Sequence, residues 1–243
     1  MRRAVAPSSS TTSSAAAART DRPRSSGACR SSSTSSRALR EQLELDRVHL
    51  LGTSWGGMLA LEHARSGYGG LTSLILSSTL ANAAEWETEV KRLRDELPLE
   101  VLGILEQHQR AGRLRQPGVS TSRGRLRRAP LLPRRRPPPE LERMLPERGH
   151  ESYRAMWGPN EWTLTGALRG WDVRPRLHEL ELPALVLRGR YDLSTEAIAA
   201  TLAHGLPDAR EVVFEHSSHT PVLEETERYL DVVRSFLREV EEA

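Results

Sequence analysis

The sequence predicts an α/β fold, with a mostly parallel sheet covered by helices on both faces. The first observation is a regular alternation in the C-terminal part of the chain: strand 184–187, helix 195–206, strand 211–214 and helix 221–240. Strands that alternate with helices of this length are typical of a parallel sheet. The second observation is that apolar strands at 47–51 and 71–76 flank a helix expected at 58–65. The 243 residues suit one such domain with an insertion.

The polar residues are concentrated in two segments. Residues 1–36 hold twelve Ser and four Thr, and residues 107–139 hold ten Arg, six Pro and no acidic residue. Such segments cannot bury enough apolar surface to offset the entropy of ordering, so we expect both to be disordered. Their abrupt change in composition leads to the hypothesis that both come from shifted reading frames. The rest of the chain is acidic, which argues against a basic nucleic-acid-binding domain.

Several classes of protein are excluded by what the sequence lacks. A single cysteine, Cys29, rules out an internal disulfide framework and a multi-cysteine zinc site. No run approaches the roughly 18 apolar residues of a membrane span, and the N-terminus has no apolar signal segment. No aromatic residue lies in 110–139 to stack on bases. We therefore expect a cytoplasmic protein without metal, cofactor, membrane or nucleic-acid partner.

The strongest chemical signal is the G-x-S-x-G sequence Gly52-Thr53-Ser54-Trp55-Gly56, between a predicted strand and a predicted helix. A sharp turn at this junction would present the Ser54 hydroxyl at the C-terminal edge of the sheet, and the flanking glycines would avoid clashes of Cβ atoms. The backbone N–H of Trp55, at the start of the helix, is then the predicted oxyanion donor. The alternative is a serine in a glycine-rich turn without a catalytic role.

A serine nucleophile needs a base and a carboxylate that orients the base. Asp192 and His219 each follow a predicted strand, in the chain order Ser, Asp, His that this kind of turn requires. Parallel strands end at one edge of the sheet, so we expect both side chains near Ser54. His216 is the alternative base, whereas His63 is expected at the surface.

Four segments resemble the proline iminopeptidase family of α/β-hydrolase serine peptidases: VHLLGTSWGGMLALEHA, MWGPNEW, WDVRPRLHELELPALVLRGRYD and SSHTPVLEE. The resemblance implies an α/β-hydrolase core with a helical cap. It also implies release of an N-terminal residue, often proline, from short peptides through an acyl-enzyme. Ser54, Asp192 and His219 fall on the family's nucleophile, acid and base. Glu161 falls on a cap glutamate that binds the free amino group of the substrate.

The resemblance also implies a domain organisation. We expect the hydrolase core at 37–82 and 171–243, and the helical cap at 83–170. Within the cap the apolar spacing predicts a helix from residue 83, broken near Pro98, and another helix at 161–168. In that second helix Glu161 has the alternative interpretation of an exposed residue at a helix start.

Two departures from the family pattern bear on activity. The residue after the acid is Leu193, where the family commonly has a second amine-binding glutamate, and this favours a broader esterase or amidase. Only 51 residues precede Gly52, and no H-G-G sequence is present to supply a second oxyanion donor. We therefore expect a sheet without N-terminal strands and with 48–51 as an exposed edge. Loss of one oxyanion donor costs about 10²–10³ in turnover, so a truncated, inactive hydrolase is a third alternative.

Overall fold

The computed structural model describes residues 38–100, 102–103, 107, 150–159 and 163–243. Residues 1–36, residues 108–139 and Glu161 lie outside this description. The disorder expected for the two low-complexity segments, and the role expected for Glu161, therefore stay predictions.

Four parallel strands form the sheet of the described residues, in the order β1-β2-β3-β4. Their bounds are β1 Val48–Thr53, β2 Leu71–Ser77, β3 Ala184–Gly189 and β4 Ala209–Phe214. The four predicted strands are confirmed to within two residues at each end. Because all four strands run in the same direction, the loops after them meet at one edge of the sheet.

The helices connect these strands or follow them. Their bounds are α1 Trp55–Arg65, α2 Ala83–Asp95, α3 His150–Met156, a 3₁₀ helix at Arg174–Glu179, α4 Glu196–Gly205, α5 Pro221–Glu224 and α6 Thr226–Glu242. A short helical segment at 38–42 precedes the sheet. The break predicted near Pro98 is confirmed, since α2 ends at Asp95 and a new helical turn begins beyond the proline.

The single helix predicted at 221–240 is wrong in one detail. It is divided at Glu225, whose φ of −130° and ψ of 53° are not helical. The Glu225 carboxylate instead turns back and accepts hydrogen bonds from the loop after β4. Side-chain contacts to a neighbouring loop thus outweigh continuous helical hydrogen bonding at this residue.

The helix predicted at 161–168 is also wrong for the part that is described. Residues 163–170 form turns that fold back on the end of α3. The N–H groups of Thr165 and Gly166 both donate to the carbonyl of Trp157. Gly158 makes this possible with a φ of +146°, and a Cβ there would come within 2.1 Å of the Thr163 carbonyl oxygen. Helical spacing in the sequence gave no sign of this reversal.

Two hydrophobic clusters lie on opposite faces of the sheet, which confirms the α/β arrangement. Alternate residues of a strand point to opposite faces, so Leu74 and Leu76 of β2 belong to one cluster and Ile75 to the other. Helices α1, α2 and α4 cover the larger cluster, and α6 covers the second. Trp157 and Leu168, from the segment expected to be a cap, are also part of the larger cluster.

Strand β1 lies at the edge of the sheet, as expected from the sequence. Among the described residues it pairs with β2 alone. Leu51, in the middle of the strand, leaves 46% of its surface exposed. In the same described ranges, no helix combines the length and apolar character needed to cross a bilayer.

Candidate active site

Ser54 lies in the turn between β1 and α1 with a φ of 54° and a ψ of −121°. Such a backbone is rare for a residue with a side chain and needs support from its surroundings. The expectation that the glycines avoid clashes of Cβ atoms is confirmed at Gly52, where a Cβ would come within 2.2 Å of the Gly56 carbonyl oxygen. A Cβ at Gly56 would meet no atom within 4 Å outside its own helix backbone. A Cβ at Gly57, in contrast, would come within 2.5 Å of the Thr79 side chain. The second glycine that packing requires is therefore Gly57.

The structure brings Ser54, Asp192 and His219 together at the C-terminal edge of the sheet. His219 Nε2 lies 3.1 Å from Ser54 Oγ, and His219 Nδ1 lies 2.7 Å from Asp192 Oδ1. The Asp192 side chain is fully buried, and that of His219 is 36% exposed. This geometry suits an imidazole that donates from Nδ1 to the carboxylate and accepts the serine proton at Nε2.

The loops after β3 and β4 lie against each other because a glycine ends β3. A Cβ at Gly189 would come within 2.1 Å of the Ser218 carbonyl oxygen. The backbone N–H of Tyr191 also donates to the Ser217 carbonyl across the two loops. This close approach carries the acid and the histidine to hydrogen-bonding distance of each other.

Two carboxylates fix the loop that carries His219. Glu225 Oε2 accepts from the His216 N–H at 2.9 Å and from the Ser217 hydroxyl at 2.6 Å. Glu224 accepts from the N–H and the hydroxyl of Ser218. Burial opposes ionisation of Glu225 most strongly, but these bonds and Arg228 outweigh it, so the pKa of Glu225 lies below its ordinary value.

The other histidines are placed differently from His219. His216 is exposed, and its backbone rather than its ring contacts Glu225. His63 is buried, with its Nε2 3.3 Å from Arg40 Nη1, so the prediction that it lies at the surface is wrong. The periodicity of α1 turns His63 towards the short segment that precedes β1.

Trp55 is the first residue of α1, so its N–H has no acceptor within that helix. Its side chain packs against the larger hydrophobic cluster, as does Leu193 beside the acid. In the described part of the chain, no group of three His, Cys, Asp or Glu side chains is arranged to hold a metal ion.

Sequence reasoning missed four residues that support this arrangement: Thr79, Ser194, Glu224 and Glu225. The two glutamates follow His219 in the SSHTPVLEE segment, and their adjacency was a usable signal. The role of Thr79 had no sequence signal, because its partners Ser54 and Ser194 are 25 and 115 residues away in the chain. Ser194 lies only two residues beyond Asp192, and that proximity was a usable signal.

Comparison with known proteins places the chain among hydrolases. The profile of the α/β hydrolase fold matches residues 15–226. The proline iminopeptidase of Lactobacillus delbrueckii subsp. lactis is 37% identical over 202 residues, which cover 82% of this chain and 68% of that protein. That of Clostridium botulinum is 33% identical over 201 residues, covering 82% of this chain and 69% of that protein.

Similar solved structures include the following two. VinJ has a TM-score of 0.76 at 31% identity, covering 86% of this chain and 71% of that chain. The proline iminopeptidase of Mycobacterium smegmatis has a TM-score of 0.75 at 32% identity, covering 86% of this chain and 70% of that chain.

The parallel sheet, the serine turn and the family match define the protein as a serine hydrolase with an α/β-hydrolase fold. Within that class, the chain belongs to the proline iminopeptidase family, and it spans 68–71% of the length of the relatives named above.

Proposed function

We propose that the protein releases N-terminal residues, proline among them, from short peptides by Ser-His-Asp catalysis. The observation that carries this proposal is the continuous chain of hydrogen bonds from Asp192 through His219 to Ser54. The similarity to proline iminopeptidases supports the substrate class.

In the proposed reaction Ser54 Oγ attacks the carbonyl carbon of the first peptide bond while His219 Nε2 takes its proton. His219 then gives that proton to the departing amine, the C–N bond breaks, and an ester to Ser54 remains. A water molecule then attacks the ester carbonyl while His219 takes its proton. The bond from the carbonyl carbon to Ser54 Oγ breaks, His219 gives the proton to Ser54 Oγ, and the N-terminal residue leaves as a free amino acid. Asp192 keeps the imidazole oriented and stabilises its positive charge.

The backbone N–H of Trp55 is the proposed oxyanion donor. It lies next to the nucleophile at the positive end of α1, where both the free N–H and the helix dipole favour negative charge. The backbone of Ser54 is strained, and in this conformation its hydroxyl lies 3.1 Å from His219 Nε2, where the histidine can take its proton.

Glu161 is proposed to bind the free amino group of the substrate. An ammonium group removed from water requires a carboxylate partner, and such charge-assisted hydrogen bonds are about twice as strong as neutral ones. This role rests on the position of Glu161 in the MWGPNEW segment.

The test is covalent labelling by a fluorophosphonate together with cleavage of a prolyl aminomethylcoumarin amide. We expect the wild-type protein to react in both assays and Ser54→Ala to lose both, with thermal melting unchanged. The matched control is Ser235→Ala, on α6, whose hydroxyl donates to Glu239 at an exposed position. Labelling of Ser54→Ala at the wild-type rate would overturn the proposal.

A second candidate function, a broader esterase or amidase, is favoured by Leu193. Its apolar side chain packs against the larger cluster directly beside Asp192, where a carboxylate would add a second charge for an amine. The two candidates differ in their dependence on a free amino group. An exopeptidase loses activity when the prolyl amide is N-acetylated, whereas a broad hydrolase cleaves N-acetylprolyl amides and butyryl esters at comparable rates.

A further inference from the structure

Thr79 lies two residues beyond the end of β2. It stands between the turn that carries Ser54, here called the nucleophile turn, and the loop after β3 that carries Asp192, here called the acid loop. It is buried, with 1% of its surface exposed. Its hydroxyl donates to the Ser54 carbonyl oxygen at 2.7 Å, and its own carbonyl accepts from the Ser194 hydroxyl at 2.6 Å. Ser194 in turn donates its backbone N–H to Asp192 Oδ1 at 3.0 Å.

We propose that Thr79 is a positioning residue that ties the nucleophile turn to the acid loop. The proposal rests on the proposed function, since it assigns Thr79 a part in aligning Ser54 with Asp192 and His219. The hydrogen bonds of Thr79 go to the Ser54 carbonyl and from the Ser194 hydroxyl, so it would act through these residues rather than on the reacting atoms.

The contacts of Ser54 show why such a tie is needed. The positive φ of Ser54 persists only where the surroundings hold it. The N–H of Ser54 donates to the Ser77 carbonyl at 2.9 Å, and its carbonyl accepts from both Thr79 Oγ1 and the Gly57 N–H. The end of β2 therefore holds both polar groups of the Ser54 backbone.

Thr79 has two connections, here called arms: its hydroxyl donates to the Ser54 carbonyl, and its own carbonyl accepts from the Ser194 hydroxyl. The second arm affects the position of Asp192. Ser194 uses its hydroxyl on Thr79 and its backbone N–H on Asp192, so a displacement of Thr79 is passed to the carboxylate that orients His219. Gly57 leaves the space in which the Thr79 side chain lies, because a Cβ there would overlap it. Thr79 thus contacts both loops from one buried position, through its hydroxyl on one side and its backbone carbonyl on the other.

The test compares Thr79→Val, which keeps the shape but removes the hydroxyl, with Thr79→Ser, which keeps the hydroxyl. We expect Thr79→Val to lower kcat about 10- to 100-fold at nearly constant KM, because small misplacements of reacting groups have effects of this order. Thr79→Ser should restore kcat to within about threefold of wild type, since it retains one hydrogen bond of ordinary strength. The rate of fluorophosphonate labelling should follow kcat.

Thr88→Val is the matched control. The Thr88 hydroxyl also donates to a backbone carbonyl, that of Ala84, but it lies on the exposed face of α2. It should leave kcat, KM and labelling unchanged. If Thr79→Val does not fold, as judged by melting, Ser194→Ala carries the test, because it removes the other arm and should also lower kcat.

A double-mutant cycle tests whether the two arms act as one unit. Thr79→Val and Ser194→Ala together should lower kcat by little more than the larger single effect, as for coupled neighbours. Purely multiplicative effects, or a wild-type kcat in Thr79→Val and Ser194→Ala, would overturn this proposal alone. Absence of labelling in the wild-type protein would overturn the proposed function and this inference with it.

Discussion

At the scale of single residues, the site depends on close backbone approach around Ser54. The glycines of the turn differ in what they allow: Gly52 lets the turn close, Gly57 admits Thr79, and Gly56 faces open space. The sequence motif does not distinguish these glycines, whereas the space around each one in the structure does.

Substitution of Gly57 and Gly56 by alanine should therefore have opposite effects. Gly57→Ala overpacks against Thr79 and should lower the free energy of unfolding by about 1–3 kcal/mol, with slower labelling. Gly56→Ala, in the same helix but in open space, should raise the free energy of unfolding by about 0.5–1 kcal/mol, because alanine has the higher helix propensity. Urea unfolding measures both changes, and equal destabilisation by the two would contradict the packing argument.

Glu225 should contribute to the acid sensitivity of the protein. Its pKa is lowered in the folded protein, against burial, by bonds from Ser217, His216 and Arg228. Because the pKa of Glu225 is lower in the folded than in the unfolded protein, its charge stabilises the fold at pH values above the ordinary glutamate pKa. This stabilisation is lost as the pH falls through the pKa of the folded protein. Glu225→Gln should therefore be less stable than wild type at pH 7, and the difference should narrow as the pH approaches 3.5.

Thermal melts from pH 7 to pH 3.5 follow this difference. Glu227→Gln is the matched control, because Glu227 is an exposed glutamate two residues beyond Glu225, in the first turn of α6. A gap between wild type and Glu225→Gln that is constant across this pH range would show that the carboxylate charge is irrelevant to the loop.

At the scale of elements, strand β1 leads into the turn of Ser54, the proposed nucleophile, and also forms the edge of the described sheet. An apolar edge strand offers unpaired N–H and C=O groups to another chain. Leu51 is exposed here, and Leu39, Leu43 and Leu45, just before the strand, are exposed as well. Among the described residues, the turn of Ser54 is therefore attached to an apolar surface that is expected to favour self-association.

Leu51→Arg should reduce self-association, because a charged side chain on an edge strand opposes pairing with a second chain. Sedimentation at increasing protein concentration measures this directly. Leu99→Arg is the control, since Leu99 is 85% exposed but lies outside the sheet. A wild-type protein that stays monomeric at every concentration would contradict the expectation.

At the scale of the whole molecule, stability depends on clusters on both faces of the sheet. The second cluster joins β2, β3 and β4 to α6, and Phe214 lies at its centre with its ring centroid 5.5 Å from that of Tyr229. Because β4 also leads into the His219 loop, packing on this face supports the site at the edge.

Phe214→Ala should lower the free energy of unfolding by about 3–5 kcal/mol, as is typical for loss of a buried aromatic side chain. Phe214→Leu, which keeps most of the volume, should cost clearly less. Denaturant unfolding measures both values. A loss below about 1 kcal/mol for the alanine variant would mean that this cluster is not part of the cooperative fold.

The sequence by itself determined the strands, the order Ser54, Asp192, His219 and the family, because hydrophobic periodicity and short motifs are local properties. Only the tertiary structure decided which glycines are required, that helix 221–240 breaks at Glu225, and that residues 163–170 fold back on Trp157. It also showed that Thr79 joins Ser54 to the loop of Asp192. The physical reason is that these features depend on specific hydrogen bonds and close approaches, some between residues far apart in the chain, and such contacts leave no periodic trace in the sequence.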